Sequence, residues 1–166
     1  HKSRHPPALQ PRHQEVARAI LWWKLRYPRI RILLSKKDVS EAFKWIPVRL
    51  EDSKLFAADL PAEYSNTQEG ITIVYGFLTF GWCGAPGEYM HYAWVIKLAH
   101  EAFAPENSRW EDTVPYHSFV LMDDTVLIEP EIGLRPETSV ALTEHLTRAV
   151  LGDASINEGK DWLEGR

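Results

Sequence analysis

Two apolar runs, SFVLM (118–122) and TVLIEP (125–130), follow each other in this chain with only Asp123 and Asp124 between them. Short apolar runs are typical of strands, and a two-residue connection allows only a tight hairpin. The sequence therefore predicts an antiparallel strand pair with two acidic residues at its tip. Two like charges this close repel each other unless one is protonated or a cation neutralises them.

Other apolar runs predict further strands. RIRILL (29–34) reads as a strand that leads to Asp38, and ITIVYGF (71–77) reads as another. Short extended pieces are expected around KWIPV and KLFAADL.

Helical spacing of apolar residues predicts a short helix over 15–25, a helix from Ala85 towards Pro105, and a helix over about 137–151. In the last helix we expect the core-facing residues to be Leu142, Leu146, Ala149 and Val150. Strands that alternate with two long helices indicate an α+β fold, in which an antiparallel sheet carries both helices on one face. The opposite face is then free to hold a site.

The net charge of −4 is unevenly distributed. Residues 1–37 contain ten Lys and Arg against Glu15 alone, a net charge of +9, whereas residues 38–166 have a net charge of −13. A basic strip that follows phosphates beside an acidic region that binds cations would produce this pattern. A solvated basic leader is the alternative reading of the charge alone.

The single cysteine, Cys83, excludes an internal disulfide and a cysteine-based zinc site. It suits an intracellular protein of the cytoplasm or nucleus, and no apolar run is long enough to suggest a membrane partner. The chain starts HKSRHPPALQ, without Met or a signal-peptide core, so we expect it to belong to a longer polypeptide.

A third carboxylate, Asp38, follows the strand predicted over 29–34. If that strand lies beside the hairpin, three carboxylates meet, and Mg²⁺ prefers such hard oxygen ligands together with water and substrate phosphates. In a two-metal site, one ion activates an attacking hydroxyl and the other steadies the leaving group. Taken singly, Asp38 as a strand cap and the acidic pair as a solvated turn are ordinary alternatives.

Three segments, in this order, resemble the motifs of reverse transcriptases. KKDVSEAFKWIPV (36–48) resembles their first catalytic motif, FGWCGAP (80–86) their glycine–proline motif, and FVLMDD (119–124) their Tyr-x-Asp-Asp motif. Weaker similarity in KLFAADLP and INEGK extends the resemblance over about residues 30–163, and it is strongest to retrotransposon enzymes.

The resemblance implies a polymerase palm. Residues 1–28 would be a basic leader and short helix from the fingers side, and residues 29–166 the palm, without most of the fingers and all of the thumb. The implied activity is that of an RNA-directed DNA polymerase, a nucleotidyltransferase that adds dNTPs to a primer 3′ hydroxyl on an RNA or DNA template. The implied cofactor is a pair of Mg²⁺ ions, which Mn²⁺ could replace. The implied partners are the template–primer, dNTPs and the remaining fingers and thumb, with or without an RNase H domain.

Carried over to matching positions, the resemblance assigns catalysis and metal binding to Asp38, Asp123 and Asp124, with the Val39 carbonyl as a further metal ligand. Phe43, five residues after Asp38, matches the aromatic ring that the family keeps under the incoming sugar, which would favour deoxynucleotides. A core phenylalanine is the alternative. The other implied contacts are Ala42, Phe80, Gly81 and Lys160 for the nucleotide, and Gly84, Pro86 and Met122 for primer or template.

Two positions depart from the family pattern: Leu121 replaces the motif's Tyr, and Phe80 replaces the Gln common in retroviral enzymes. Two other functions stay open. An RNA-dependent RNA polymerase also has a palm, although that family usually has a second Asp near the position of Phe43. A palm-derived module that binds nucleic acid or assembles with protein without catalysis is the other alternative.

Overall fold

The computed structural model describes the backbone of residues 4–64, 70–105, 113–160 and 162–164, and side chains within these ranges up to residue 159. These residues form three α-helices and two antiparallel sheets, so the α+β class is confirmed. None of the described helices is both long and apolar enough to cross a membrane.

The elements follow the chain as α1 (His13–Arg26), β1 (Ile32–Asp38), β2 (Ala57–Leu60), β3 (Ile71–Val74), α2 (Ala85–Glu101), β4 (Ser118–Leu121), β5 (Asp124–Pro130), α3 (Arg135–Leu151) and β6 (Trp162–Glu164). Helix α2 starts at the predicted residue, with Pro86 in its first turn, but ends four residues before Pro105. Helix α3 begins two residues earlier than predicted and ends before Gly152, whose φ of +108° an L side chain rarely adopts.

The main sheet has the strand order β4–β5–β1–β6, and all neighbouring strands are antiparallel. Strands β4 and β5 form the hairpin that the sequence predicts, with Met122 and Asp123 in its turn. Strand β1 continues to Asp38 itself. Strands β2 and β3 pair separately as a small second sheet.

Strands β1 and β5 pair over seven residues, from Ile32 opposite Pro130 to Asp38 opposite Asp124. Successive side chains of a strand point to opposite faces of its sheet. One face of the sheet therefore carries Ile32, Leu34, Lys36 and Asp38 from β1, and the other carries Leu33, Ser35 and Lys37.

Helices α2 and α3 pack on the face that carries Lys37. Lys37 forms an ion pair with Glu144 of α3, and the Lys97 Nζ of α2 donates to the backbone carbonyl of Ser118 at 2.7 Å. Helix α1 packs on the opposite face, where the buried Trp23 donates from its Nε1 to the carbonyl of Ile128 at 3.0 Å. That face is thus covered at the end where β1 begins.

The packing of α3 differs from its expected apolar stripe. Leu146 and Val150 are only partly buried and Ala149 is exposed. The most buried side chains of its middle turns are the small polar residues Ser139, Thr143 and Thr147. Both threonine hydroxyls donate to the backbone carbonyl four residues earlier, at 2.9 and 2.8 Å, so their polar groups are satisfied inside the helix.

An ion pair between Arg135 and Glu129 is buried where α3 begins, with the two side chains 1% and 3% exposed. Arg135 also donates to the carbonyls of Val114 and Pro115 at 2.9 and 3.0 Å, and its guanidinium group lies over the Trp23 ring, 4.8 Å from the centroid. The arginine therefore joins β5, the segment before β4, α1 and α3.

We expect Arg135→Met to lower the free energy of unfolding by about 3–5 kcal/mol, because it leaves Glu129 as a buried charge without its cation. Urea denaturation measures this change. The matched control is Arg31→Met, which removes the exposed Arg31–Glu131 pair, with side chains 57% and 45% exposed. That change should cost far less, because water and salt screen an exposed ion pair. Equal effects of the two substitutions would contradict the assigned role of Arg135.

His100 is buried between α2 and α3, where its Nε2 lies 2.9 Å from the Ser139 hydroxyl oxygen. Burial lowers the pKa of His100 from 6.5 to about 4, an effect that nearby Glu101 opposes. Between these pH values the unfolded chain binds a proton that the folded chain does not. The stability that depends on neutral His100 is therefore complete above pH 6.5 and falls as the pH drops towards 4.

We expect His100→Gln to remove this loss, which for the wild type is about 3 kcal/mol by pH 4. The measurement is the difference in unfolding free energy between variant and wild type from pH 7 to pH 4. His145→Gln, at an exposed position of the same helix pair, is the control and should leave the wild-type pH slope unchanged. If His100→Gln has the wild-type slope, another group causes the acid loss.

Candidate active site

The register of β1 and β5 brings the three predicted aspartates to one end of the main sheet. Asp38 is the last residue of β1 and lies directly opposite Asp124, the first residue of β5. Asp123 lies in the hairpin turn just before Asp124. The carboxylates are 85 and 86 positions apart in the sequence, and only this pairing makes them neighbours.

Backbone hydrogen bonds hold this end of β1 on both sides. The Val39 N–H donates to the Asp123 carbonyl at 2.9 Å, which ties the end of β1 to the hairpin turn. On the other side, the Asn157 N–H donates to the Asp38 carbonyl at 3.0 Å, and the Ser40 N–H donates to the Ser155 carbonyl at 2.8 Å. None of these three bonds uses the Val39 carbonyl, the atom that the resemblance assigns to a metal.

The charges of the three aspartates act on one another and on Lys36. Lys36 Nζ lies 2.9 Å from Asp124 Oδ1, and this contact raises the pKa of Lys36, with smaller effects from Asp38 and Asp123. Burial raises the pKa of Asp124, Lys36 opposes that shift, and a hydrogen bond shared with Asp38 adds to it. The acidic groups are close enough that one of them gains a proton more readily than a free aspartate would.

Tyr89 of α2 lies below this acidic cluster. It is buried, and its burial raises the pKa of the hydroxyl, with further contributions from Asp123, Asp38 and Asp124. The same three charges therefore act on both Tyr89 and Lys36.

Two non-glycine residues with left-handed backbone flank this region. Among the described residues, these are Glu41, with φ of +52°, and Met122, with φ of +60°. Such a conformation costs a residue other than glycine about 1–3 kcal/mol and is concentrated at functional sites. Glu41 comes just before the short 3₁₀ turn Ala42–Trp45, and Met122 is the first residue of the hairpin turn.

Phe43 is a core residue whose ring contacts that of the exposed Phe80. Phe43 is 7% exposed, and its ring packs edge-on against Phe80, at 4.9 Å between centroids, and against Tyr89 at 5.8 Å. Phe80 is 73% exposed, and the adjacent Gly81 has a φ of +89° in an open turn. Three of the predicted nucleotide contacts are therefore neighbours in the structure: the Phe43 ring contacts the Phe80 ring, and Gly81 follows Phe80. The fourth, Ala42, is buried next to Phe43 in the chain.

Gly84 and Pro86 lie at the start of α2, where the leader of the chain crosses them. A Cβ on Gly84 would lie 2.7 Å from the Trp82 ring and 2.9 Å from His5, and one on Gly87 would lie 1.8 Å from the Pro6 carbonyl oxygen. His5 Nδ1 is also 2.9 Å from the Glu88 carboxylate. The absence of a side chain at Gly84 and Gly87 therefore makes room for the leader, around His5 and Pro6. This packing was not predicted from the sequence.

Two further residues of the site were not predicted from the sequence. Lys36 could have been found, because it precedes Asp38 by two residues in a strand and so shares its face. Tyr89 lies in the helix that the sequence predicts from Ala85, but no role at the site was predicted for it. The Lys160 backbone ends the 3₁₀ turn Glu158–Lys160, but its side chain lies outside the described residues, so its predicted role stays a prediction.

The donor chemistry of the site fits a hard divalent cation, since the three nearby side chains all offer carboxylate oxygens. Their spacing is less favourable: within the described ranges, no three His, Cys, Asp or Glu side chains form a group ready to hold a metal ion. The contact of Lys36 Nζ with Asp124 Oδ1 at 2.9 Å already engages one of these carboxylates.

A groove of about 670 Å³ lies along the edge strand β4, between α1 and α2. Its apolar walls include Trp22, Trp94 and Phe119, and it contains none of the predicted site residues. The groove and the predicted site residues therefore lie in different parts of the described structure.

In comparisons with known proteins, no protein-family model and no curated protein matched this chain.

Proposed function

We propose that this chain is the catalytic palm of an RNA-directed DNA polymerase of the retrotransposon type. It would transfer nucleotides from dNTPs to a primer 3′ hydroxyl on an RNA or DNA template. Fingers, thumb and any RNase H domain of a longer polyprotein would complete the binding surface for the template–primer.

The observation that carries the proposal is the pairing of Asp38 with Asp124 across β1 and β5, with Asp123 in the adjoining turn. Carboxylates repel, and a fold that brings three of them together needs a compensating charge. Nucleotidyl transfer supplies one, since its divalent cations bind carboxylates and substrate phosphates together.

Asp38, Asp123 and Asp124 would hold two Mg²⁺ ions, with the Val39 carbonyl as a further ligand. When bound, such a pair activates the primer hydroxyl and stabilises the charge on the departing pyrophosphate. The protein's own part is positioning: the bonds on both sides of β1 hold Asp38 against the hairpin, and the left-handed Met122 fixes the turn that carries Asp123.

Phe43 and Phe80 support deoxynucleotides as substrates. The Phe43 ring is held edge-on between Phe80 and the buried Tyr89, so it cannot move aside easily. A ring fixed under the incoming sugar would collide with a 2′ hydroxyl and exclude ribonucleotides.

Asp123→Asn should lower the rate of primer extension at least about a hundredfold, because it removes a charge that holds the metal ions. The assay is extension of a DNA primer on an RNA template with Mg²⁺ and dNTPs, carried out with the intact polymerase that includes fingers and thumb. Asp153→Asn is the matched control, since Asp153 is an exposed aspartate that is not one of the proposed metal ligands, and its rate should stay within about twofold of wild type. A wild-type protein without extension activity, or an undiminished Asp123→Asn variant, would sink the proposal.

Phe43→Val should lower the preference for dNTPs over rNTPs at least about tenfold, measured as the ratio of kcat/KM values. Phe119→Val is the control, because Phe119 is also 7% exposed but lies in the core under α1. Both variants should lose about 1–3 kcal/mol of stability. A difference between them in the preference for dNTPs over rNTPs would therefore report on contact with the sugar and not on lost stability. If the two variants discriminate equally well, Phe43 is a core residue alone.

A palm-derived module without catalysis is the second candidate. The observation that favours it is the lack, among the described residues, of three metal-ligating side chains in binding geometry. Such a module would bind template–primer in a filter assay with unchanged affinity after Asp123→Asn, and would show no extension with Mg²⁺ or Mn²⁺.

A further inference from the structure

Lys36 is a cation that the fold itself places against the acidic cluster. We propose that Lys36 is a built-in counter-ion of the three aspartates, which a divalent cation must displace from Asp124 before it binds. The inference rests on the proposed function, because it takes Asp38, Asp123 and Asp124 as the cation site. It goes further by identifying a residue that sets how tightly the site binds metal.

The geometry of β1 puts Lys36 in this position. Its side chain shares a face with Asp38 by strand alternation, and its Cα pairs with Val126, two residues after Asp124. The ammonium nitrogen lies 2.9 Å from Asp124 Oδ1, with the two side chains only 23% and 32% exposed. The pair is therefore partly shielded from water, and screening by salt weakens it less than a surface pair.

The ammonium group and a divalent cation compete for the same oxygen. Mg²⁺ binds carboxylate oxygens at about 2.0–2.1 Å and keeps a near-octahedral shell, so an oxygen in contact with Lys36 is poorly placed to join that shell. The two positive charges would also repel each other across a partly desolvated space. Lys36 must therefore leave Asp124, and the free energy of its ion pair is subtracted from that of metal binding.

Lys37 is a natural control in the next position of the chain. It carries the same charge, but its side chain points to the opposite face, where it forms an ion pair with Glu144 of α3. Removing either lysine changes the net charge by the same amount. Of the ion pairs that the structure describes for these two lysines, the one to a proposed metal ligand belongs to Lys36.

The test is Mn²⁺ binding to the 166-residue chain, followed by electron paramagnetic resonance of the free ion and repeated in competition with Mg²⁺. We expect Lys36→Met to bind Mn²⁺ about tenfold more tightly than wild type, which corresponds to the loss of one competing ion pair. Lys37→Met should stay within about threefold of wild type. Lys36→Arg, which keeps the charge, should keep the weaker wild-type affinity.

Thermal unfolding adds a readout that needs no binding signal. Because the metal stabilises only the folded chain, Mn²⁺ should raise the Tm of Lys36→Met more than that of wild type at the same concentration. Lys36→Gln serves as a second neutral variant if Lys36→Met does not fold.

The outcomes separate this inference from the proposed function. If Asp124→Asn loses Mn²⁺ binding while Lys36→Met, Lys36→Gln and Lys37→Met all match wild type, the counter-ion role is wrong and the cation site stands. Weaker binding by both neutral Lys36 variants also overturns the counter-ion role, because Lys36 would then assist the metal. If neither the wild type nor any Lys36 variant binds Mn²⁺, both the inference and the metal site are overturned.

Discussion

The antiparallel pairing of β1 with β5 is the interaction on which the rest of this structure depends. It joins two strands almost ninety residues apart and runs from Ile32 opposite Pro130 to Asp38 opposite Asp124. A slip of one residue would move Asp38 and Lys36 to the face on which helices α2 and α3 already pack. The apolar residues of both strands therefore set the position of the acidic ones.

Each face of the sheet is closed by a different kind of contact. On one face, α1 anchors through Trp23, which combines apolar burial with a hydrogen bond to the Ile128 carbonyl. On the other, α3 packs through small polar side chains and through the buried Arg135–Glu129 pair. Because an ion pair of this kind is costly to break on one side only, it links the folding of α3 to β5, the strand that carries Asp124.

The acidic end of the sheet combines attraction and repulsion within one small region. Asp38, Asp123 and Asp124 repel one another, the ammonium group of Lys36 offsets part of this repulsion, and their charges also act on the hydroxyl of buried Tyr89. The left-handed Glu41 and Met122 show that the fold also accepts local backbone strain here. Charge repulsion and backbone strain are thus concentrated at the same end of the main sheet.

Local sequence patterns were sufficient for the elements that depend on neighbours in the chain. The apolar runs around Asp123 and Asp124 predicted the β4–β5 hairpin. Helical spacing of apolar residues predicted α2 and α3 to within a few residues. Both predictions were possible because hairpin turns and helical periodicity depend on residues two to four positions apart. The resemblance to reverse transcriptases predicted Asp38 as the third carboxylate. Strand alternation in β1 was enough to place Lys36 on the same face as Asp38, but it could not show that Lys36 contacts Asp124.

Tertiary structure alone decided what lies far apart in the sequence. It chose β5 and β6 as the neighbours of β1, turned Ser139, Thr143 and Thr147 rather than Ala149 towards the core, and laid Pro6 across Gly87. These choices depend on shape and on the burial of whole surfaces, which no short window of residues contains. The sequence by itself determined which carboxylates the chain has and the strands that carry them, and the long-range pairing of β1 with β5 determined that they meet.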